Sequence, residues 1–378
     1  MKVLKGGVTT PKGFKANGFW AGVKKSGKPD LGLIYATVPC SAAAVFTRNS
    51  VKAAPILVCQ KNIKGGKAQA LIANSGNANC FTGEYGLTYA LKMTELVASQ
   101  FGIVSERVLI MSTGMIGRPF PYEKFSEAVP KLVKGLSATK GASFAKAIMT
   151  TDLKDKQIAV RIELGGKTVT VGGCAKGSGM IEPNMATMLA CVTTDAAVSP
   201  AMLKAALLEA VDVSFNSITV DGCMSTNDML SVMASGLAGN KMIAAKNADY
   251  RIFTDALKAV CIKLAKDIVY DGEGAERFFE ITISGAATPK QAKEVAMKVA
   301  NSNLVKTADY IDNPNWGRVA AAIGACGTKA SEDTIKISFS VKRNNVFIKA
   351  DIGLGQASAT VYSCDLTHGY IDINGRYN

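Results

Sequence analysis

Residues 157–173, "QIAVRIELGGKTVTVGG", constrain the fold more than any other stretch. Ile158, Val160 and Ile162 alternate with polar or small residues, Gly165-Gly166 supplies a two-residue turn, and Val169 and Val171 continue beyond it. Period-two alternation across such a turn predicts an antiparallel hairpin with a buried face. A second hairpin is predicted over "TIKISFSVKRNNVFIKADIG" (334–353), turning at "KRNN". "DLGLIYATV" (30–38) and "AQALIAN" (68–74) are short apolar runs bounded by turn residues, and read as buried strands.

Helical stretches lie between these. In "YGLTYALKMTELVASQFG" (85–102), apolar residues recur at helical spacing and Gly102 marks the stop. "SPAMLKAALLEAVDVSF" (199–215) opens with a Ser cap and a Pro at the first helical position. "YRIFTDALKAVCIKLAKDIVYDG" (250–272) and "PKQAKEVAMKVANSN" (289–303) are further helices. Hairpins dominate over regular β-α-β spacing, so an α+β architecture is expected rather than a doubly wound parallel sheet. A length of 378 residues suits about two domains.

Composition excludes some chemistry. No uninterrupted apolar run reaches the roughly 18 residues of a membrane span, and "MKVLKGGVTTPKGFK" has no secretory apolar core. A cytoplasmic protein with no membrane partner is the expectation. The nine cysteines contain no C-x-x-C pair, which argues for small buried hydrophobes in a reducing compartment rather than a disulfide framework or a zinc site. The net charge of +14 is scattered, without a basic helix or an aromatic-plus-basic strand. Solubility explains it better than nucleic acid does, although a cleft for anionic substrates could use part of it. His368 is the only histidine, so no His-rich metal site is expected, and a nucleophile would draw its base from elsewhere.

"CAKGSGMIEPNMATMLACVTT" (174–194) is too Gly-rich for a helix and too apolar for a surface loop. Thr187 lies in it between Ala186 and Met188. A threonine hydroxyl needs an adjacent base, and an N-terminal threonine carries one in its own α-amine, whose ordinary pKa is about 7.7–8.0. An internal threonine gains that amine only when the preceding bond is cut, here by attack of Thr187 Oγ on the Ala186 carbonyl, which gives an ester that water then hydrolyses. The plainer reading is that Thr187 opens a buried strand, "TMLACVTT".

"KGSGMIEPNMATML" resembles the cleavage motif of the ornithine acetyltransferases, the bifunctional arginine-biosynthesis family. The similarity runs in the family's order through "VTTPKGFKANG" (8–18), "KAAPILV" (52–58), "NSGNAN" (74–79), "STGMIGRP" (112–119) and "MTTD" (149–152). It continues through "STND" (225–228), "DGEGA" (271–275), "NPNWGR" (313–318) and "YIDINGRY" (370–377), nearly the whole chain. The resemblance implies an αββα-type layered sandwich of the N-terminal-nucleophile kind, self-cleaved into fragments 1–186 and 187–378 that stay together, commonly in a homo-oligomer.

It further implies that Thr187 is the nucleophile and that Thr113 and Gly114 form the oxyanion hole. Lys176, Thr151, Glu273 and Asn374 become substrate contacts; Thr150 leaves the register of Thr151 open. The activity implied is ping-pong transfer of an acetyl group from N2-acetylornithine to glutamate. It needs no cofactor, with acetyl-CoA as a second donor in some members. Taken alone, "STG" reads as a capped turn, Lys176 as a loop lysine and "YDGEG" as a helix-ending turn.

Three positions depart from the pattern. The chain ends at Asn378, four residues after Asn374, whereas a Ser or Thr contact is usual about five residues after that Asn; the contact is missing, or Asn378 or its carboxylate replaces it. Glu182 replaces a common His, and Cys223 an Asp. Two rival readings remain. One is an N-terminal-nucleophile amidase or aminopeptidase, in which water resolves the acyl-enzyme; the other is a non-catalytic basic protein binding nucleic acid.

Overall fold

The computed structural model describes residues 1–182, 188–310 and 314–376. They fall into two compact units. The first takes Met1–Gly177, Asn184–Phe215 and Met224–Ala265 as far as described; the second takes Ser178–Pro183, Asn216–Cys223 and Lys266–Asn378 likewise. The first unit therefore draws on both sides of the expected cut.

In the first unit, strands β1 (Lys2–Leu4), β2 (Phe14–Phe19), β3 (Leu31–Phe46), β4 (Lys67–Asn74) and β5 (Val108–Ser112) precede the predicted hairpin. That hairpin is β6 (Lys156–Leu164) and β7 (Lys167–Lys176), followed by β8 (Leu189–Thr194) and β9 (Met229–Ala234). Gly165 and Gly166 turn it with φ of +53° and +74°, the left-handed pair a tight two-residue turn requires. The nine strands form one sheet, ordered β1-β6-β7-β8-β9-β3-β4-β5, with β2 also on β3.

The sheet folds over at β3. Leu31–Tyr35 pairs with β2 and β4, Ser41–Phe46 pairs with β9, and the register shifts between Tyr35 and Cys40, where Pro39 interrupts the ladder. Strands β8 and β5 lie four steps apart, about 19 Å in a flat sheet. Yet Cys191 Sγ on β8 is 3.7 Å from Met111 Sδ on β5. The two halves thus face each other, and Leu33, Leu71, Met111, Cys174, Leu189, Cys191 and Met233 share one core.

Helices cover both outer faces. Helix α1 (Ala54–Asn62) guards the β5 edge, while α2 (Gly83–Phe101), α3 (Tyr122–Lys134) and α4 (Gly141–Ala147) pack on the β2–β5 half. On the other side α5 (Pro200–Asp212) lies on β3, and α6 (Ala248–Tyr270) sets Val260 and Leu264 against Gly173 of β7. This is the expected αββα layering. The Ser199 cap accepts from Met202 N–H, and Gly102 ends α2 in the left-handed conformation, as the sequence predicts.

The second unit has a four-stranded sheet, β11-β12-β10-β13, made of β10 (Phe278–Ala286), β11 (Lys336–Lys342), β12 (Asn345–Asp351) and β13 (Ala357–Cys364). The second predicted hairpin is β11–β12, with Arg343 at φ +55° in its turn. Helices α7 (Pro289–Ala300), α8 (Asn303–Lys306) and α9 (Trp316–Gly324) cover one face around Phe279, Ile281, Val295 and Val361; α10 (His368–Gly375) closes the described chain. No helix among the described residues is long and apolar enough to cross a membrane.

Candidate active site

Ala186, Thr187 and Asn378 lie outside the described residues. Strand β7 ends at Lys176, which pairs with Leu189 at the start of β8. Met188 is buried, and its carbonyl accepts from Met229 N–H at 3.0 Å. Of "TMLACVTT", Leu189–Thr194 form the buried strand β8, while the Thr187 that the plainer reading places at its start lies outside the described residues.

Thr113 and Gly114 follow directly from β5. Thr113 N–H donates to Asn74 O at 3.0 Å, and Lys176 Nζ donates to Thr113 Oγ1 at 3.1 Å. The hydroxyl accepts from the lysine, so its own hydrogen remains available to donate. Gly114 has φ +127°, and a Cβ there would come within 2.4 Å of the Gly76 carbonyl carbon and 2.6 Å of Asn77 N. No other residue fits this approach.

Four asparagines hold that geometry. Asn74 accepts from Ser112 Oγ at 2.6 Å and donates to Asn77 O at 2.8 Å; Asn77 donates to Pro119 O at 2.9 Å and accepts from Asn79 N–H. Asn227 donates to Ala78 O at 2.6 Å and to Ser112 O at 2.8 Å. All four side chains are buried. Sequence reasoning noticed "NSGNAN" and "STND" only as matched motifs. The available signal was the clustering of asparagine, whose amide satisfies buried loop backbone that a strand ladder cannot reach.

Asp152 ties the Thr150-Thr151 turn to the end of β7. Its carboxylate accepts from Thr150 N–H at 2.9 Å, Gly177 N–H at 2.7 Å and Lys156 Nζ at 2.6 Å. Burial opposes its ionisation, but the charges of Lys156 and Lys176 and the Gly177 hydrogen bond prevail and hold its pKa at about 2. Lys24 donates to Met149 O at 2.6 Å, just before that turn. Burial pulls its pKa down to about 8 against the pull of Asp30, with Lys176 adding repulsion. Sequence reasoning found neither Asp152 nor Lys24.

Within the second unit, Asn374 Nδ2 donates to Glu273 Oε2 at 2.8 Å. Glu273 N–H donates to Ser178 O at 2.8 Å, and its carboxylate lies so close over Gly179 that a Cβ there would sit 2.2 Å from Oε2. The structure thus joins Thr113, Gly114 and Lys176 in one unit, with the Thr151 turn tied in through Asp152, and joins Glu273 to Asn374 in the other. Glu182 has partners of its own. Its carboxylate accepts from Asn301 Nδ2 at 2.6 Å and Thr219 Oγ1 at 3.3 Å, and burial raises its pKa.

The model of the ArgJ family matches residues 15–346. The arginine biosynthesis bifunctional protein ArgJ of Symbiobacterium thermophilum is 48% identical, over 100% of both chains. The chain belongs to the ArgJ family. The Geobacillus kaustophilus ArgJ protein is similar at 45% identity, over 99% of this chain and 97% of that one. Among solved structures, a chain of the Mycobacterium tuberculosis ornithine acetyltransferase, complexed with ornithine, is 40% identical. That match covers 49% of this chain and 99% of that chain, at a TM-score of 0.46. As an ArgJ family member the chain is an acetyltransferase of arginine biosynthesis.

Proposed function

We propose that this ArgJ family chain transfers the acetyl group of N2-acetylornithine to glutamate through an acetyl ester on Thr187, formed after self-cleavage at Ala186-Thr187. The observation that carries the reading is the Lys176–Thr113 pair at 3.1 Å beside a Gly114 that only glycine can occupy. A cation for a substrate carboxylate and a donor pair for an oxyanion occupy one place, at the end of the strand leading to Thr187.

In the cycle, the freed Thr187 amine takes the proton from Oγ, which attacks the acetyl carbonyl. The Thr113 hydroxyl and Gly114 N–H receive the oxyanion, the proton passes to the leaving amine and ornithine departs. Glutamate reverses these steps and leaves as N-acetylglutamate. Lys176 and Thr151 hold the carboxylate end of the substrate. Glu273, Asn374 and Asn378 are further substrate contacts on the same resemblance, Glu273 for the ammonium group. No cofactor enters this cycle, and acetyl-CoA is a second donor within the same reading. Pairing of β7 with β8 keeps the fragments joined, and the fragment pair works as a cytoplasmic homo-oligomer.

A denaturing gel with N-terminal sequencing tests the reading. Two near-equal fragments are expected, the second beginning Thr-Met-Leu-Ala, and Thr187→Ala should remain whole and inactive. An intact chain that still transferred acetyl groups would refute the N-terminal-amine mechanism. Ornithine release that is indifferent to glutamate, with no N-acetylglutamate formed, would make the protein an amidase instead.

A further inference from the structure

The run before the expected cut is fastened down more firmly than a loop requires. Asp221 accepts from Met180 N–H at 2.6 Å and Ile181 N–H at 2.9 Å, and also from Cys223 N–H at 3.1 Å. Tyr370 donates its hydroxyl to the same carboxylate at 3.3 Å. The backbone is clasped as well: Val220 N–H donates to Ile181 O at 2.7 Å, and Glu182 N–H to Cys223 O at 3.0 Å. The Glu182 side chain is held by Asn301 and Thr219, and Thr219 in turn donates to Asn301 Oδ1 at 2.7 Å or to Glu182. Met180 adopts φ +56°, a left-handed conformation that a non-glycine residue keeps only when its surroundings impose it.

We propose that residues 219–223, with Asn301 and Tyr370, form a clasp that positions the precursor for self-cleavage by fixing Met180–Glu182. This rests on the self-cleavage reading above. Attack of Thr187 Oγ on the carbonyl beside it needs that peptide held in a conformation an unrestrained chain rarely visits, so a fixed approach raises the rate through orientation. Glu182, five residues before Thr187, is then a tether, and its carboxylate does no proton chemistry. Asp221, Glu182 and Tyr370 are positioning residues for maturation and are dispensable for acetyl transfer once the bond is cut.

The test is pulse-labelled cell-free synthesis of wild type, Asp221→Ala, Glu182→Gln and Tyr370→Phe, with conversion to two fragments followed by denaturing gel. Asp221→Ala loses the hydrogen bonds to three backbone amides, two of them in the run itself, and should cleave about tenfold or more slowly, the other two variants a few-fold more slowly. Transfer activity per cleaved molecule should stay within about twofold of wild type, a split that a general loss of structure would not give. Wild-type cleavage rates in all three variants, or a fall in activity per cleaved molecule that matches the fall in cleavage, overturn the clasp. A wild-type chain that is never cut overturns the self-cleavage reading itself. Should Asp221→Ala fail to fold, Glu182→Gln and Tyr370→Phe decide the question alone.

Discussion

At the scale of single residues, the site depends on groups that tolerate no close substitute. In Gly114→Ala the new methyl would meet backbone atoms of Gly76 and Asn77 at 2.4–2.7 Å, so one segment must move and the N–H aim is lost. On the proposed role of Gly114 as an oxyanion donor, kcat should fall about 10²–10³-fold, with a smaller change in KM; steady-state acetyl transfer measures it. Asp152 makes a pH prediction. Its pKa is about 2 in the fold against an ordinary 3.8, so the folded form takes up this proton later than the unfolded chain as pH falls. The stabilisation is complete above about pH 4 and disappears towards pH 2, amounting to about 2 kcal/mol. Asp152→Asn leaves buried Lys156 without its carboxylate, and should cost about 3 kcal/mol or more at neutral pH. Denaturant melts of both proteins across pH 2–7 should show the gap narrowing at the acid end; a constant gap would remove Asp152 from the account.

At the scale of elements, an exposed sheet edge has to be blunted, and α1 does this for β5 with a thiol. Cys59 Sγ donates to Ile110 O at 3.0 Å and accepts from Ile110 N–H at 3.1 Å, with burial pushing its pKa up to about 12. Cys59→Ala strands both backbone groups in the core and should destabilise by about 1–3 kcal/mol, whereas Cys59→Ser should lose less. Thermal unfolding of the pair separates this role from simple filling, for which serine would be the worse substitute. Local patterns of this kind show how far sequence carried. The β6–β7 turn, the Ser199 cap and the Gly102 stop were legible because neighbouring residues determine them. The bend in β3, the parallel pairing of β8 with β9 and the clasp at 219–223 were not, because each is set by partners distant in the chain. In the site, Thr113, Gly114 and Lys176 could be named from motif resemblance. Asp152, Lys24 and the asparagines that hold them could not, since asparagine and aspartate read equally well as turn residues.

At the scale of the whole molecule, the strands on either side of the expected cut are neighbours in one sheet. Six residues of β7, Val171–Lys176, pair antiparallel with all of β8, and β8 is buried throughout. The two fragments should therefore elute together in native size-exclusion chromatography and part only in denaturant. Separation in plain buffer would mean that the β7–β8 ladder does not hold them.

The fold at β3 carries a consequence for manufacture in the cell. Met111 and Cys191 meet only after strands eighty residues apart in sequence have found their places, and Asn227 reaches Ser112 across 115 residues. On the reading proposed above, Thr113 and Gly114 reach their places only with these long-range pairings, and a chain without them is expected to stay in one piece. On that reading ripening is a form of proofreading: the ratio of halves to wholes on a gel would count the molecules that reached the native register, and the misfolded ones would be silent.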